Sequence, residues 1–229
     1  MNILIIGKSS HISKNLIRVF KGSKKKNNIF CTSSKIKKND IKNKVLKLDL
    51  SKNEDIKNFS EFINKKKILF DLVVFNNGIC HGLNLKNHNL KTIQESYKLN
   101  LFGNIIISKI IEKKLSKESK FIFISSIASH KGSYDPIYSS FKSALVGLTK
   151  SLTSYLSPNT KVLCLVPGII SKTAMYGNFS KKVLKNHLKR TSNKHFVNAN
   201  EIAKIIYDLS QHHWRHANGS IIELNGGYI

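Results

Sequence analysis

The order of the hydrophobic segments constrains the fold of this chain more than any other feature. Short apolar runs rich in β-branched residues alternate with segments whose apolar residues recur every three or four positions. The predicted strands are Asn2–Ile6, Ile29–Thr32, Val45–Leu48, Asp71–Phe75, Lys120–Ser125, Lys161–Val166 and Ser220–Leu224. Several are nearly all apolar, as expected when helices cover both faces of a parallel sheet. With right-handed crossovers, the pattern predicts an α/β fold: a Rossmann-like, doubly wound parallel sheet of about seven strands.

The segments between these strands predict the main helices. One helix is expected near residues 12–21, a longer one from about 90 to 115, a third from about Ile137 to Ser157, and a last one after Asn200. The 229 residues suffice for one sizeable core, and no repeat or Pro-rich linker marks a boundary. Residues 1–229 are therefore expected to form a single domain.

The charge of the chain is strongly positive. Lys and Arg number 39 against 13 Asp and Glu, which gives a formal net charge of +26. Such a field attracts phosphates, nucleic acid or an acidic carrier protein. The lysines are scattered among Asn and Ile, and aromatic residues do not interleave with the basic runs as a base-stacking surface requires. We therefore expect no nucleic-acid partner.

Membrane, metal and disulfide chemistry are not expected either. No apolar run approaches the ~20 residues of a membrane span. The first apolar run is too short for a signal peptide and leads directly into a glycine turn, so a cytoplasmic protein is expected. Cys31, Cys80 and Cys164 are isolated and form neither a disulfide framework nor a zinc pattern.

A tyrosine and a lysine are candidates for acid–base chemistry. Tyr138 and Lys142 are four residues apart on a predicted helix, so both side chains lie on one face. A neighbouring cation favours the phenolate and is expected to lower the pKa of the tyrosine from about 10. Such a phenol can exchange a proton with an alcohol or carbonyl oxygen near neutral pH.

The first strand and helix predict a phosphate-binding turn. Gly7 closes the strand, and residues 8–13 lead into the helix, so backbone N–H groups and a helix N-terminus point at one place. No acidic residue follows the second strand before Asp40, although a site for NAD usually has one there for the ribose 2′-hydroxyl. The hydroxyls of residues 32–34, with Lys35 and Lys8, suit a 2′-phosphate better. NADP is therefore favoured, with NAD as the alternative.

These segments, in this order, resemble the classical short-chain dehydrogenase/reductase family. Residues 6–13 match its first loop, T-G-x-x-x-G-I-G, except that His11 and Ser13 replace the second and third glycines. Residues 71–78 resemble D-x-L-V-N-N-A-G, residues 166–175 resemble P-G-x-[IV]-x-T-x-M, and residues 225–227 resemble the closing D-G-G. The matches span nearly the whole chain.

The resemblance implies specific roles for four residues in an NAD(P)-dependent interconversion of a carbonyl and a secondary alcohol. Tyr138 would act as acid or base, and Lys142 would lower its pKa and bind the nicotinamide ribose. Ser126 would orient the substrate oxygen, with Ser125 as the alternative. Asn100, within the N-x-x-G element, would bend its helix and hold a water that leads to Lys142.

The resemblance also implies where the cofactor binds. The residues expected to line the NAD(P) site are Gly7, Ser9, Ser10, His11, Ile12, Thr32, Ser33, Lys35, Asp49, Leu50, Asn76, Asn77, Gly78, Tyr138, Lys142, Pro167, Gly168, Ile170 and Thr173. The family forms dimers or tetramers through its long helices, so a homo-oligomer is expected.

The substrate remains open among several alternatives. The chain looks similar to 3-oxoacyl-acyl-carrier-protein reductases, and the basic segment 176–196, expected to be a mobile cover over the site, suits an acidic carrier protein. A sugar or nucleotide-sugar reductase of surface polysaccharide synthesis is the second hypothesis. A non-catalytic, nucleotide-binding regulatory protein on the same fold is the third.

Overall fold

A parallel sheet forms the centre of the molecule. A computed structural model describes the backbone of residues 1–229 and every side chain except those of residues 212, 213 and 215. The seven strands lie in the order β3-β2-β1-β4-β5-β6-β7, and all neighbours are parallel. They are β1 (Asn2–Ile6), β2 (Asn28–Ser33), β3 (Val45–Lys47), β4 (Phe70–Phe75), β5 (Leu115–Ile124), β6 (Thr160–Pro167) and β7 (Ile221–Leu224). All the predicted strands are confirmed. Strand β5 begins five residues before the predicted Lys120, and the prediction missed these residues because they are mostly polar.

Helices cover both faces of this sheet. They are α1 (His11–Gly22), α2 (Asn53–Lys65), α3 (Leu90–Tyr97), α4 (Gly103–Ile111), α5 (Ala128–Lys131), α6 (Pro136–Leu156), α7 (Ala174–Gly177), α8 (Lys181–Arg190) and α9 (Ala199–Leu209). Helix α2 was not predicted, because its three buried residues, Ile56, Phe59 and Ile63, stand among polar ones. In the part of the chain that the structure describes, no helix is both long enough and apolar enough to cross a bilayer.

The single long helix predicted over residues 90–115 is wrong in two respects. Helix α3 passes into a π-helical turn at Lys98–Phe102 before α4 begins, and α4 ends at Ile111. The turn surrounds Asn100, whose side chain accepts a hydrogen bond from the Ile79 N–H at 3.0 Å and donates one to the Ile79 carbonyl at 2.8 Å. A π-helical turn widens the helix locally, and such turns are frequent at functional sites.

The core consists of two layers, one on each face of the sheet. One face packs against α2, α4 and α6, and the other packs against α1 and α9. The strand order reverses between β1 and β4, because β2 lies on one side of β1 and β4 on the other. In open α/β sheets a crevice forms at the carboxyl ends of the strands at this point, and ligands bind there. The predicted cofactor residues follow these strand ends.

Candidate active site

The turn after β1 brings the backbone close to its neighbours. Gly7 has a φ of +93°, and a Cβ there would lie 3.0 Å from the carbonyl oxygen of Asn76. Its N–H donates to Thr32 Oγ1 at 3.0 Å, and the N–H of Lys8 donates to the Thr32 carbonyl at 2.8 Å. The buried Thr32 hydroxyl therefore holds the turn in place rather than facing a ligand.

Both departures from the family's glycine pattern lie in the first turn of α1. Ser13 is fully buried, and its hydroxyl donates to the Gly7 carbonyl at 2.6 Å and accepts from Asn76 Nδ2 at 2.8 Å. Ser13 therefore takes the place of the third glycine and forms a side-chain hydrogen bond to the turn after β1. His11 is exposed at the first position of α1, so its ring is not packed into the protein. Ser10 caps the helix by accepting the Ser13 N–H at 3.0 Å. With its glycine turn and helix N-terminus, the crevice fits a dinucleotide pyrophosphate.

The adenosine end of the crevice is basic. Lys8 follows the end of β1 and Lys35 follows the end of β2, and both are exposed, as is Ser9. Neither ammonium group has a hydrogen bond or ion pair among the side chains that the structure describes. The Ser33 hydroxyl accepts the Lys35 N–H at 3.2 Å. The Asp40 carboxylate is engaged by the backbone and side chain of Asn43, at 3.1 and 2.8 Å. The nearest acidic residue after β2 is therefore held within its own turn.

Other predicted cofactor residues follow β3 and β6. Asp49 accepts the hydroxyl of Ser51 at 2.6 Å, and the adjacent Leu50 packs against Gly103 of α4. After β6, Pro167 ends the strand and the Gly168 N–H donates to Leu224 at 2.9 Å. Two further predicted residues meet at the start of α7, where the Thr173 hydroxyl donates to the Ile170 carbonyl at 2.9 Å. All these positions lie at the carboxyl edge of the sheet.

The segment after β4 joins the cofactor crevice to the catalytic residues. Asn77 Nδ2 donates to the Leu99 carbonyl at 2.6 Å, whereas its buried Oδ1 has no hydrogen-bond partner among the described side chains. Gly78 has a φ of +153°, and a Cβ there would lie 2.6 Å from Asn100 Oδ1 and 3.1 Å from Lys142 Nζ. Residues from β4, the π-helical turn and α6 therefore converge on one point.

Replacing Gly78 with alanine should disturb this convergence. We expect Gly78→Ala to lower the free energy of unfolding by about 2 kcal/mol, because the new methyl group would overlap Asn100. Urea denaturation measures the change. The matched control is Gly147→Ala on α6, where nothing lies within 4 Å of the added Cβ. The control should be neutral or slightly stabilising. Equal stability of both variants would contradict the crowding seen at Gly78.

Tyr138 and Lys142 lie in the first two turns of α6, and both are buried. They are 7% and 4% exposed, and Lys142 Nζ lies 5.8 Å from the centre of the Tyr138 ring. The ammonium group donates to the Ile124 carbonyl at 2.9 Å. Burial lowers the pKa of Lys142 to about 8. A buried lysine with such a pKa is a frequent feature of functional sites.

The pKa of Tyr138 differs from the sequence-based expectation. Burial raises this pKa, a hydrogen bond with Ser126 lowers it in part, and the nearby Cys80 and Asp135 raise it further. A pKa below the usual value was expected for Tyr138 and is wrong for this structure, because burial has the largest effect and disfavours the charged phenolate. The phenol is thus protonated at neutral pH.

The two serines after β5 have different surroundings. The Ser125 hydroxyl is buried and donates to the Lys142 carbonyl at 2.8 Å. The Ser126 hydroxyl accepts the Ala128 N–H at 3.2 Å and lies close enough to the Tyr138 phenol to lower its pKa. Of the two alternatives, Ser126 is the one beside the phenol.

Sequence reasoning missed three residues of this region. Asn104 is 1% exposed and donates from Nδ2 to the Asn100 carbonyl at 2.7 Å. Asp135 caps α6 by accepting the Tyr138 N–H at 2.9 Å, and it pairs with His88. The Asp-Pro dipeptide at the start of α6 is a helix-capping signal that could have identified Asp135. No local signal connects it to His88.

The fold and the site define a Rossmann-type, NAD(P)-dependent oxidoreductase. The sequence profile of a family described as enoyl-(acyl carrier protein) reductase matches residues 31–229. The chain belongs to the short-chain dehydrogenase/reductase family. It is 31% identical over 186 residues to the 3-oxoacyl-[acyl-carrier-protein] reductase FabG of Buchnera aphidicola, a match that covers 80% of this chain and 76% of the relative.

Solved structures of low sequence identity share the fold. A short-chain dehydrogenase/reductase from Brucella melitensis, described as a glucose/ribitol dehydrogenase, superposes with a TM-score of 0.87 at 22% identity, covering 100% of this chain and 96% of that one. A short-chain dehydrogenase from Burkholderia cenocepacia, solved in complex with NADP, has a TM-score of 0.84 at 18% identity and coverages of 98% and 96%. The comparisons as a whole do not favour the sugar-reductase or non-catalytic alternatives.

Proposed function

We propose that this protein is an NADPH-dependent 3-oxoacyl-[acyl-carrier-protein] reductase, with residues 1–229 acting as one NAD(P)-binding domain. The observation that carries this proposal is the buried Tyr138, which lies beside Ser126 and one helical turn from Lys142, next to the dinucleotide crevice. The relative from Buchnera aphidicola has this activity in its name. The reaction reduces the 3-keto group of an acyl thioester to a secondary alcohol.

The residues of the site suit proton donation to a ketone oxygen. The bound nicotinamide cofactor supplies the hydride. Ser126 and Tyr138 bind the ketone oxygen, and the protonated phenol donates its proton as negative charge develops there. Lys142 is mostly protonated at neutral pH, and its charge stabilises the phenolate that remains. Asn100 shapes the π-helical turn that brings Gly78 and Lys142 together.

The basic adenosine end supports NADP rather than NAD. Lys8 and Lys35 are exposed and unpaired among the described side chains, so they can bind a 2′-phosphate at little cost. The Asp40 carboxylate accepts two hydrogen bonds from Asn43 within its own turn, and it forms no direct ion pair with Lys8 or Lys35 among the described side chains.

An acidic carrier protein fits the groove on α8. The groove has a volume of about 510 Å³ and is open to solvent. Its apolar residues are Tyr176, Leu184, Leu188 and Phe196, and its basic residues are Lys181, Lys185, Lys189 and Lys194. His187 of the same helix lies near Gly168, at the end of β6. An apolar floor beside lysines suits an acyl thioester on an acidic protein.

An assay with acetoacetyl-acyl-carrier protein tests this function. We expect NADPH oxidation with this substrate, a weaker reaction with NADH, and no reduction of the crotonyl thioester. Charge reversal at Lys185→Glu and Lys189→Glu should raise KM for the carrier-bound substrate on the order of tenfold, and should not change KM for acetoacetyl-N-acetylcysteamine.

The control for that assay carries the same change in charge elsewhere. Lys24 and Lys204 are exposed and do not line the groove, and Lys24→Glu with Lys204→Glu should leave both KM values unchanged. Preference for NADH, reduction of the crotonyl thioester alone, or equal KM effects in the two double variants would each reject the corresponding part of the proposal.

We also propose a dimer or tetramer formed through α3, α4 and α6. Tyr97 packs against Phe102 and Phe141, with ring centres 5.8 Å apart in both pairs. Tyr97 and Ile105 are 42% and 43% exposed on this surface. Exposed aromatic and aliphatic side chains on adjacent helices are typical of a subunit interface.

A further inference from the structure

Residues 226–229, which we call the strap, run antiparallel to residues 190–193 at the end of α8. Three backbone hydrogen bonds join the two segments, with N···O distances of 3.0 to 3.2 Å. The Arg190 side chain adds another bond, from Nε to the Ile229 carbonyl at 2.8 Å. The strap therefore fastens the carboxyl end of α8 to the segment that follows β7.

The residues between β7 and the strap turn the chain toward α8. Asn225 is 6% exposed, and its Oδ1 accepts the N–H groups of Gly227 at 3.0 Å and Tyr228 at 3.2 Å. Gly226 and Gly227 have φ values of +67° and +71°, in the left-handed region that favours glycine. The sequence Asn-Gly-Gly-Tyr thus brings the Tyr228 ring against α8.

Helix α8 is attached to the rest of the molecule mainly through His187. Of its ten residues, all of which the structure describes, His187 alone is buried. The Tyr228 ring stacks on the His187 ring with a centre-to-centre distance of 4.5 Å and an interplanar angle of 26°, and the Phe196 ring lies 5.9 Å away at 22°. The Arg190 guanidinium lies 4.6 Å from the centre of the Tyr228 ring. Tyr228 is therefore in contact with α8 at its buried residue and at its last turn.

The same contacts reach the edge of the sheet where the cofactor site is expected. A Cβ at Gly168 would lie 3.3 Å from the Asn225 Cα and 3.6 Å from His187 Nε2. Gly168 is one of the residues expected to line the cofactor site, and α8 lines the groove that we assign to the acyl-carrier protein. A short helix with one buried side chain depends on tertiary packing for its position. The packing around His187 thus determines where the groove lies relative to the end of β6.

We propose that Tyr228 is a positioning residue, which holds α8 and the substrate groove on it against the end of β6. Tyr228 acts through its contact with His187, so it is not a catalytic residue. The proposal rests on the proposed function, because the groove on α8 is the one assigned to the carrier-bound substrate.

Hydrogen–deuterium exchange tests the position of α8 without a substrate. In Tyr228→Ala, the backbone N–H groups of α8 should exchange on the order of tenfold faster than in the native protein, because the ring that packs on its buried residue is gone. Tyr228→Phe keeps the ring and should exchange at the native rate. Helix α1 serves as the internal reference and should be unchanged in both variants.

The matched control removes a tyrosine ring that does not contact α8. Tyr155 is 66% exposed on α6, and Tyr155→Ala should leave the exchange of α8 unchanged. Native exchange of α8 in Tyr228→Ala, or an equal increase in α1 and α8, would overturn the proposal.

A second measurement uses the unaltered sequence, so it holds even if Tyr228→Ala does not fold. The N–H groups of Ser192, Asn193 and Ile229 donate across the pair formed by the strap. In the native protein they should exchange on the order of a hundredfold more slowly than in an unfolded chain. Exchange at the unfolded rate would show that the strap does not hold α8, and would overturn the proposal.

Steady-state kinetics separates this role from a general loss of structure. In Tyr228→Ala, KM for acetoacetyl-acyl-carrier protein should rise on the order of fivefold while kcat changes by less than about twofold, because the groove binds parts of the substrate remote from the ketone. Tyr228→Phe should restore the native KM. An unchanged KM, or a loss confined to kcat, would overturn the proposal. Failure of the native protein to reduce this substrate would instead reject the proposed function, and the exchange experiments would still decide the role of Tyr228 in holding α8.

Discussion

Tyr138→Phe is expected to bind NADPH normally and to reduce the ketone about 10³-fold more slowly than the native protein. The substitution removes only the hydroxyl that donates the proton, and the ring stays buried among the same neighbours. The loss should appear in kcat rather than in KM, because the missing interaction develops as the oxygen gains charge. Steady-state kinetics measures kcat and KM, and NADPH fluorescence titration measures the affinity for the cofactor.

The matched control for this variant lies on the same helix. Tyr155 is 66% exposed near the end of α6, and its hydroxyl binds Glu112 at 2.8 Å. Tyr155→Phe removes the same atom and should leave kcat unchanged. If Tyr138→Phe retained most of the native kcat, the proton donor would have to be another group, and the proposed mechanism would be wrong.

Lys142→Met is expected to make the protein more stable and much less active. The pKa of Lys142 is about 8 in the folded protein, against 10.5 for an ordinary lysine. The charged ammonium group therefore disfavours folding at neutral pH, by about 3 kcal/mol for a difference of this size. Loss of the hydrogen bond to Ile124 offsets about 1 kcal/mol of the gain. The net increase in the free energy of unfolding should be about 2 kcal/mol.

The pH dependence of stability provides a second readout for this lysine. Below about pH 8 it is charged in both the folded and unfolded states, and the destabilisation is fully present. Between about pH 8 and 10.5 the unfolded state binds more protons, so the contribution of Lys142 to stability rises with pH. The difference in free energy of unfolding between the native protein and Lys142→Met should therefore be smaller at about pH 10 than at about pH 7. Urea denaturation at the two pH values measures it.

The loss of activity should accompany this gain in stability. Without the charge that stabilises the phenolate, kcat of Lys142→Met should fall about 10²-fold. The control is Lys150→Met, an exposed position on the same helix, which should change neither property. A Lys142→Met protein of lower stability at every pH would show that the buried cation is not destabilising.

The fold was largely predictable because its signals are local. The central strands β1, β4 and β6 each contain a nearly continuous apolar run, because helices cover both faces of the sheet there. The prediction was wrong where tertiary contacts decide the backbone. Asn100 interrupts the helix near residue 100 because its side chain bonds to Ile79, 21 residues away in sequence.

For the candidate site too, local signals in the sequence predicted some features and only tertiary contacts decided others. The motif after each strand predicted residues that the structure brings to one edge of the sheet, because parallel strands all end there. The spacing of the motifs favoured Ser126 and kept Ser125 as the alternative, because the two serines are adjacent in sequence and both follow β5. Their hydrogen bonds in the folded protein make the distinction, and Ser126 is the one beside Tyr138.

The sequence by itself determined the doubly wound parallel sheet and the edge of that sheet at which the reactive groups meet. Both depend on apolar periodicity and on residues a few positions apart. Only the tertiary structure decided the protonation behaviour of Tyr138 and Lys142 and the pairing of His88 with Asp135, 47 residues away. Burial and distant charges set proton affinities, and neither quantity exists until the chain has folded.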